Sequence, residues 1–173
     1  LMSKTPLSAF LCMSLLATLP AEAKDSKQKH HDAIDKIVTN AAKKAGVPAE
    51  LLIAICWSES RYRINLPEPL DGSTPSYGIC QVKLETAQDM DRIFKLKRSA
   101  TEDRLRDPST NAFYAAKYLK YQLKRYNYNW RQAIAAYNMG SYYKHRPNVQ
   151  YVTKIELAFA EKNLDAAIIS NAR

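Results

Sequence analysis

The sequence predicts a mainly helical single domain that contains one short β excursion. Only four glycines occur in the whole chain, and runs of alternating β-branched residues are few. Apolar residues instead recur at the three- and four-residue spacing of amphipathic helices. Once the N-terminal leader described next is set aside, roughly 150 residues remain, enough for one domain with a single core. No internal repeat or second domain is visible in the sequence.

Residues 1–23 have the pattern of a secretory signal peptide. Lys4 supplies a short basic region, an apolar run extends from Leu7 to Leu19, and Ala21-Glu22-Ala23 has the small-x-small form of a cleavage site. A membrane anchor is the alternative, but the run is shorter than the roughly 20 apolar residues that span a bilayer. Cys12 is not preceded by the small residue expected of a lipid-attachment site. We therefore expect a periplasmic or secreted bacterial protein without a membrane span.

The formal net charge of +9 limits the kinds of partner. Removing the leader does not change it, because Lys4 and Glu22 cancel. Such a surface can bind nucleic acid, anionic lipid or an anionic polymer. The leader favours a cell-wall polymer over nucleic acid, and no nucleic-acid recognition motif is visible.

Start and stop signals divide the rest of the chain into elements. Residues 24–33 are charged and poor in apolar side chains, which predicts a flexible lead-in before a domain over 34–163 and a C-terminal tail at 164–173. Pro48 suits a first helical turn, and Asp107-Pro108-Ser109 is a helix start signal. The expected helices cover 32–46, a segment carrying 51–59, 84–90, 107–126, 130–140 and 148–162. Three prolines predict a turn at 66–76, a β-like segment follows at 77–82, and 92–106 is expected to be a solvated loop with a short helix.

Glu59 is the strongest catalytic candidate, because it continues an apolar helical stripe. Leu52, Ile55 and Cys56 precede it by seven, four and three residues, which places all four on one helix face. A carboxyl taken out of water without a cationic neighbour has a raised pKa, so it can hold a proton at neutral pH and act as a general acid. The alternative is a carboxylate at the end of the helix that pairs at the surface with one of the arginines that follow.

Four short segments follow one another in the order that a known family uses. Glu59-Ser60 comes first, then SYGICQVK at 76–83 with Thr86-Ala87, then AAYNMG at 135–140, and last Tyr151-Val152. This arrangement resembles the soluble lytic transglycosylase (SLT) and goose-type lysozyme superfamily. The pattern of that family is Glu-Ser, then Gly-Leu-Met-Gln with Thr-Ala shortly after, then Ala-Tyr-Asn-x-Gly and Tyr-Val. The match covers residues 34 to 160 and implies a lysozyme-like α+β fold.

The resemblance also implies a reaction. Lytic transglycosylases cleave the bond between N-acetylmuramic acid and N-acetylglucosamine in peptidoglycan with one glutamate, which acts first as an acid and then as a base. The acetamido group of the substrate stabilises the muramyl cation, and the sugar C6 hydroxyl closes a 1,6-anhydro ring. The expected partner is therefore a peptidoglycan glycan strand, bound by a monomer that needs no cofactor and no metal.

Roles are carried over residue by residue from the family pattern. Glu59 becomes the general acid and base, and Tyr151 matches the tyrosine whose hydroxyl contacts the catalytic carboxyl. Gln81 would offer its amide to sugar groups. Cys80 departs from the family pattern, which has Met there. The full set of implied substrate-binding residues is Ser60, Ser76, Tyr77, Gly78, Ile79, Cys80, Gln81, Tyr137, Asn138 and Tyr151.

Two cysteines follow the leader, in a compartment that permits disulfides. The resemblance places Cys56 and Cys80 close to the catalytic segment, so that a disulfide between them is one expectation and two buried free thiols are the other. A cysteine nucleophile is disfavoured because no histidine lies in the motifs, and the two cysteines and three histidines have no zinc spacing.

Asp71 leaves the type of reaction open. It lies in the turn between Glu59 and Gly78, roughly where goose-type lysozymes carry an acidic residue proposed to hold a hydrolytic water. A second carboxylate across the cleft would permit inverting hydrolysis, whereas the alternative is an ordinary Asp-Gly turn. A lysozyme-type hydrolase, which could act on deacetylated glycan, and a non-catalytic wall-binding protein are therefore the alternatives to a lytic transglycosylase. Retention of Glu59 argues against the binding protein.

Overall fold

A computed structural model describes residues 21–66, 73–139 and 148–171. Within these ranges, side chains are described for residues 25 to 160. The helices are α1 (Ala21–Ala45), α2 (Ala49–Ser60), α3 (Leu84–Ile93), α4 (Glu102–Arg106), α5 (Pro108–Arg125), α6 (Trp130–Met139) and α7 (Val149–Asn171). Two strands, β1 (Ser76–Tyr77) and β2 (Val82–Lys83), form an antiparallel hairpin in which Ser76 pairs with Lys83 and Tyr77 with Val82. The predicted mainly helical domain with a small β excursion is confirmed.

Helix α5 lies at the centre of the domain. It packs against α1 on one side and α6 on another, while α2 lies between α1 and α7. Ala112, Ala115 and Ala116 of α5 are fully buried, and their small side chains let the neighbouring helices approach closely. None of the helices in the described ranges is long and apolar enough to cross a membrane.

Both ends of the domain are more helical than the sequence predicts. Residues 24–33, the expected lead-in, lie within α1, where charged and polar side chains one turn apart pair along the exposed face. Lys29 contacts Asp25 at 2.6 Å, and Gln28 donates to Asp32 at 2.8 Å. Helix α7 likewise continues to Asn171, beyond the end expected near residue 162. The domain limits stay a prediction, and residues 1–20 of the expected leader, as well as Asp71, lie outside the described residues.

The hairpin is held in place by one buried amide, Asn111, in the first turn of α5. Its Nδ2 donates to the carbonyls of Tyr77 at 2.7 Å and Leu105 at 2.8 Å, and its Oδ1 accepts from the backbone of Cys80 at 2.8 Å. The turn between the strands needs a left-handed residue, and Gly78 provides it with a φ of +67°. A Cβ at Gly78 would stand 2.5 Å from the Asn111 amide and from the carbonyl oxygen of Leu105. Glycine is therefore required at this position for space as well as for conformation.

Gly78→Ala is expected to lower the free energy of unfolding by about 3 kcal/mol. Left-handed strain contributes roughly 1–2 kcal/mol, and displacement of the Asn111 hydrogen bonds contributes the rest. Gly46→Ala is the matched control, since Gly46 has a φ of +71° but its nearest neighbour would be Lys120 Nζ at 3.6 Å. Urea unfolding of both variants measures the difference, and equal losses would show that crowding at Asn111 plays no part.

Candidate active site

Glu59 lies in the last turn of α2, where the predicted apolar stripe is confirmed. Leu52, Ile55 and Cys56 are fully buried, and Glu59 is half-buried at the end of this face. The helix ends directly afterwards, because Arg61 adopts a left-handed conformation with a φ of 53° and donates its backbone N–H to the carbonyl of Trp57. The carboxyl is thus presented from the rigid end of a buried helix.

Burial raises the pKa of Glu59 above its ordinary value. Two contacts oppose this shift in part, a hydrogen bond from the Tyr151 hydroxyl to Glu59 Oε1 and the positive charge of Lys154 nearby. Arg63 donates to the carbonyl of Ser60 at 3.0 Å, and Arg61 lies over the ring of Trp57 at 5.0 Å. The hydrogen bond to Glu59 comes from a tyrosine, and burial outweighs it, so the pKa of the carboxyl stays above its ordinary value.

Tyr151 is fixed by the start of α7. The side chain of Asn148 accepts the Tyr151 backbone N–H at 3.0 Å as a helix cap and donates to Asn138 of α6, also at 3.0 Å. The tyrosine is 6 % exposed, and burial together with the charge of Glu59 raises its pKa well above the ordinary value. It therefore stays protonated and available as a donor to the carboxyl, as the family resemblance implies.

A cleft of about 610 Å³ opens on the Glu59 carboxyl. The structure brings five of the sequence-predicted site residues into its lining, and it adds seven that were not predicted as site residues. The predicted ones are Glu59, Ser76, Gln81, Tyr137 and Asn138. The added ones are Val82, Lys83, Glu85, Thr86, Asp89, Tyr118 and Met139.

The other predicted substrate-binding residues lie beneath the cleft wall rather than in it. They are buried, namely Ser60, Tyr77, Gly78, Ile79, Cys80 and Tyr151. The physical reason is that the 77–80 backbone is engaged by the protein itself. Ser60 donates to the carbonyl of Ile79 at 2.7 Å, while Asn111 binds Tyr77 and Cys80 from the other side. These residues support the geometry of Gln81, whose own amide donates to the carbonyl of Gly78 at 2.9 Å.

A disulfide joins Cys56 to Cys80. Cys56 lies one helical turn before Glu59, and Cys80 directly precedes Gln81. The bond therefore links α2, which carries Glu59, to the turn that carries Gln81. Tyr137 of α6 completes the connection by donating its hydroxyl to the carbonyl of Cys80 at 3.4 Å. Three elements that line the cleft are thereby held at fixed distances from one another.

Two supporting residues were not identified from the sequence. The sequence does indicate that Asn111 is buried, because it lies four positions before Ala115 and so falls on the buried face of α5. Lys154 follows the last motif, Tyr151-Val152, by two positions, and no local pattern shows that its charge reaches Glu59.

Tyr151→Phe is expected to move the alkaline limb of the pH profile of kcat/KM upward by about one pH unit. Removing a donor to the carboxylate raises the pKa of Glu59 further, and a general acid with a higher pKa keeps its proton to higher pH. The size follows from a hydrogen bond to a charged group, about 1.5 kcal/mol, at 1.36 kcal/mol per pKa unit. Tyr128→Phe, at a side chain 65 % exposed, is the control. A limb that stays in place or moves down would contradict the role given to Tyr151.

Comparison with known proteins agrees with this fold. Residues 36–156 match the Transglycosylase SLT domain family, so the chain belongs to that family. Two Escherichia coli proteins named X polypeptide are each 33 % identical to the chain. One matches over 96 residues, 54 % of this chain and 53 % of its own length, and the other over 104 residues, 59 % and 57 % respectively. The chain thus spans just over half the length of these curated relatives.

Solved structures show the same fold and confirm the predicted lysozyme-like architecture. An inactive mutant of the lytic transglycosylase Slt from Pseudomonas aeruginosa superposes with a TM-score of 0.60 at 22 % identity, over 76 % of this chain and 24 % of that one. The 70-kDa soluble lytic transglycosylase of Escherichia coli gives 0.56 at 22 % identity, over 73 % and 20 %. A complex of the 70-kDa soluble lytic transglycosylase with bulgecin A gives 0.58 at 21 % identity, over 81 % and 22 %.

Proposed function

We propose that this chain is a lytic transglycosylase that cleaves the β-1,4 bond between N-acetylmuramic acid and N-acetylglucosamine in peptidoglycan. The observation that carries the proposal is a half-buried carboxyl with a raised pKa, Glu59, which faces an open cleft and is held by a tyrosine hydroxyl. Membership of the transglycosylase SLT family supports it. The proposal includes a periplasmic or secreted location, where the wall lies, and a monomer as the active form.

In the first step Glu59 donates its proton to the glycosidic oxygen as the bond to the muramyl C1 breaks. The acetamido oxygen of the same sugar stabilises the positive charge that forms at C1. The Glu59 carboxylate then accepts the proton of the muramyl C6 hydroxyl, whose oxygen attacks C1 and closes the 1,6-anhydro ring. Glu59 ends the cycle protonated, and no water is consumed.

The surrounding residues suit a group that alternates between acid and base. Tyr151 and Lys154 stabilise the carboxylate after it has given up its proton, while burial returns it to the protonated form. Gln81, Tyr137 and Asn138 offer amide and aromatic surfaces to the sugars along the cleft. Tyr137 is anchored by its hydrogen bond to the carbonyl of Cys80, and Asn138 by its hydrogen bond from Asn148.

Mass analysis of the soluble products tests this reaction against hydrolysis. Digestion of purified peptidoglycan is expected to release fragments with anhydro ends, which are lighter by one water than the reducing ends made by a hydrolase. Asp71→Asn is expected to leave the rate nearly unchanged, and fully deacetylated glycan is expected to resist cleavage because it lacks the acetamido group. Reducing ends from a deacetylated wall, together with a severe loss in Asp71→Asn, would instead establish hydrolysis with Asp71 as the second carboxylate.

A further inference from the structure

The last turn of α6 carries two residues of the active-site cleft, and its carbonyl groups need partners from outside the helix. Tyr137 and Asn138 line the cleft, and α6 ends at the next residue, Met139. The last four carbonyls of an α-helix have no N–H of the same helix to accept. The carbonyl of Ala136 is one of these four, and it lies directly before the two cleft residues. The group that binds this carbonyl therefore helps to set the position of the turn.

That group is the hydroxyl of Tyr118, on the neighbouring helix α5. The hydroxyl donates to the carbonyl of Ala136 at 3.2 Å. Gln122, one turn further along α5 and 1 % exposed, hydrogen-bonds to the same hydroxyl and keeps it in this place. Burial raises the pKa of Tyr118, so the hydroxyl retains the proton that it donates. Tyr118 was not predicted as a site residue from the sequence, yet it lines the cleft.

The two cleft residues of the turn depend on this contact to different degrees. Tyr137 is anchored in two further ways, since its ring packs on the ring of Tyr118 at 5.0 Å and its hydroxyl donates to the carbonyl of Cys80 at 3.4 Å. Asn138 is linked through its side chain to the start of α7 instead. The hydroxyl of Tyr118 therefore matters more for the position of Asn138 than for that of Tyr137.

Hydrogen bonds lead from Asn138 to the carboxyl of Glu59. Asn148 donates to Asn138 at 3.0 Å and accepts the backbone N–H of Tyr151, also at 3.0 Å. The Tyr151 hydroxyl then donates to Glu59. We infer that Tyr118 is a positioning residue of the active site, which acts through the end of α6 to hold Asn138 at the cleft and, through Asn138, to support the contact between Tyr151 and Glu59. The inference rests on the proposed function.

Tyr118→Phe tests the inference, because it removes the hydroxyl and keeps the ring that packs on Tyr137. We expect kcat/KM on soluble glycan strands to fall about threefold to tenfold, as for the loss of one neutral hydrogen bond. In an Asn138→Ala background the same substitution is expected to change kcat/KM by less than about twofold, because the residue that Tyr118 positions is already gone. Equal factors in the two backgrounds would overturn the inference and leave the proposed function in place.

Tyr114→Phe is the matched control on the same helix. Tyr114 is 1 % exposed, and its hydroxyl donates to Asp91 at 2.8 Å, so this variant also loses a buried tyrosine hydrogen bond. Tyr114 does not line the cleft. Its substitution is expected to lower stability in urea about as much as Tyr118→Phe does. Any effect on kcat/KM should be the same with and without Asn138→Ala.

The pH profile of kcat/KM separates positioning from a loss of stability. When the end of α6 is released, Tyr151 donates less well to the Glu59 carboxylate. The pKa of Glu59 then rises, and the alkaline limb is expected to move upward in Tyr118→Phe, by less than in Tyr151→Phe. A smaller folded fraction lowers the rate without moving this limb, as expected for Tyr114→Phe. A limb that stays in place in Tyr118→Phe would contradict the inference.

Amide hydrogen exchange gives a test that does not depend on cleavage. The backbone N–H groups of residues 137–139 are expected to exchange about threefold to tenfold faster in Tyr118→Phe, because the last turn of α6 opens more often. The same groups should exchange at the unmodified rate in Tyr114→Phe. Unchanged exchange in Tyr118→Phe would overturn the inference alone. If the unmodified chain cleaves no glycan, the proposed function fails and the inference fails with it.

Discussion

Replacing Glu59 with glutamine is expected to lower the rate of wall cleavage by a factor of about 10² to 10⁴ while the fold is retained. The amide keeps the size of the side chain, and its oxygen still accepts the hydrogen bond of Tyr151. It has no proton of suitable acidity to give to the glycosidic oxygen, and it cannot later accept the proton of the C6 hydroxyl. The first step of the proposed reaction therefore loses its general acid, and the second step loses its general base.

The measurement is release of soluble fragments from purified peptidoglycan, with sedimentation on insoluble wall to show that binding persists. Glu156→Gln is the matched control, because it makes the same chemical change on α7, where Glu156 pairs with Arg131 at 3.0 Å. The control is expected to clear the wall at a rate close to that of the unmodified chain. Near-normal clearing by Glu59→Gln would refute the assignment of Glu59.

Local patterns in the sequence suffice to locate α2, the helix that carries Glu59. The spacing of Leu52, Ile55 and Cys56 gives the buried face of α2, and periodicity of this kind depends only on helical geometry. Helix starts were predicted where a specific capping group exists, as at Asp107, whose side chain accepts the backbone N–H of Thr110 at 2.8 Å. A short β-like segment was expected at 77–82 because three prolines and Gly72 precede it and a helical pattern follows it.

Contacts between distant segments could not be derived from periodicity. Tyr151 and Glu59 are 92 positions apart, and only the family resemblance brought them together before the structure did. The placement of residues 77–80 beneath the cleft depends on Asn111, and a stripe position alone does not indicate which backbone groups an amide will bind. A motif shared with a family therefore indicates candidate residues of a site, but it does not distinguish those exposed in a cleft from those that hold the others in place.

The first half of α1 also depends on contacts with distant segments of the chain. Its composition predicts flexibility, yet the ring of His31 packs edge-on against Trp57 at 4.9 Å, and His30 contacts the carbonyl of Tyr62 at 3.1 Å. Tyr62 is fully buried and hydrogen-bonds to Asp35. These contacts pack the N-terminal part of α1 against Tyr62, in the turn that directly follows α2.

Removing the disulfide is expected to lower the free energy of unfolding by about 3 kcal/mol. Cys56 and Cys80 are 24 positions apart, and closing a loop of this length restricts the unfolded chain by an amount of that order. Both residues are fully buried, so alanine is the suitable replacement in the double variant Cys56→Ala/Cys80→Ala, because serine would bury two further hydroxyls. Activity at low temperature is expected to fall as well, since the bond ties the helix of Glu59 to the turn of Gln81.

Urea unfolding with and without dithiothreitol separates the cross-link from the side-chain change. The unmodified chain is expected to lose most of the same stability when it unfolds in reductant, because the thiols become accessible once the buried bond is exposed. The double variant has no bond to reduce, so its unfolding curve should be the same in both solutions. If reductant leaves the curve of the unmodified chain in place, then the loss in the variant comes from the cavity left by the two sulfur atoms, and the cross-link contributes little to the stability of the site.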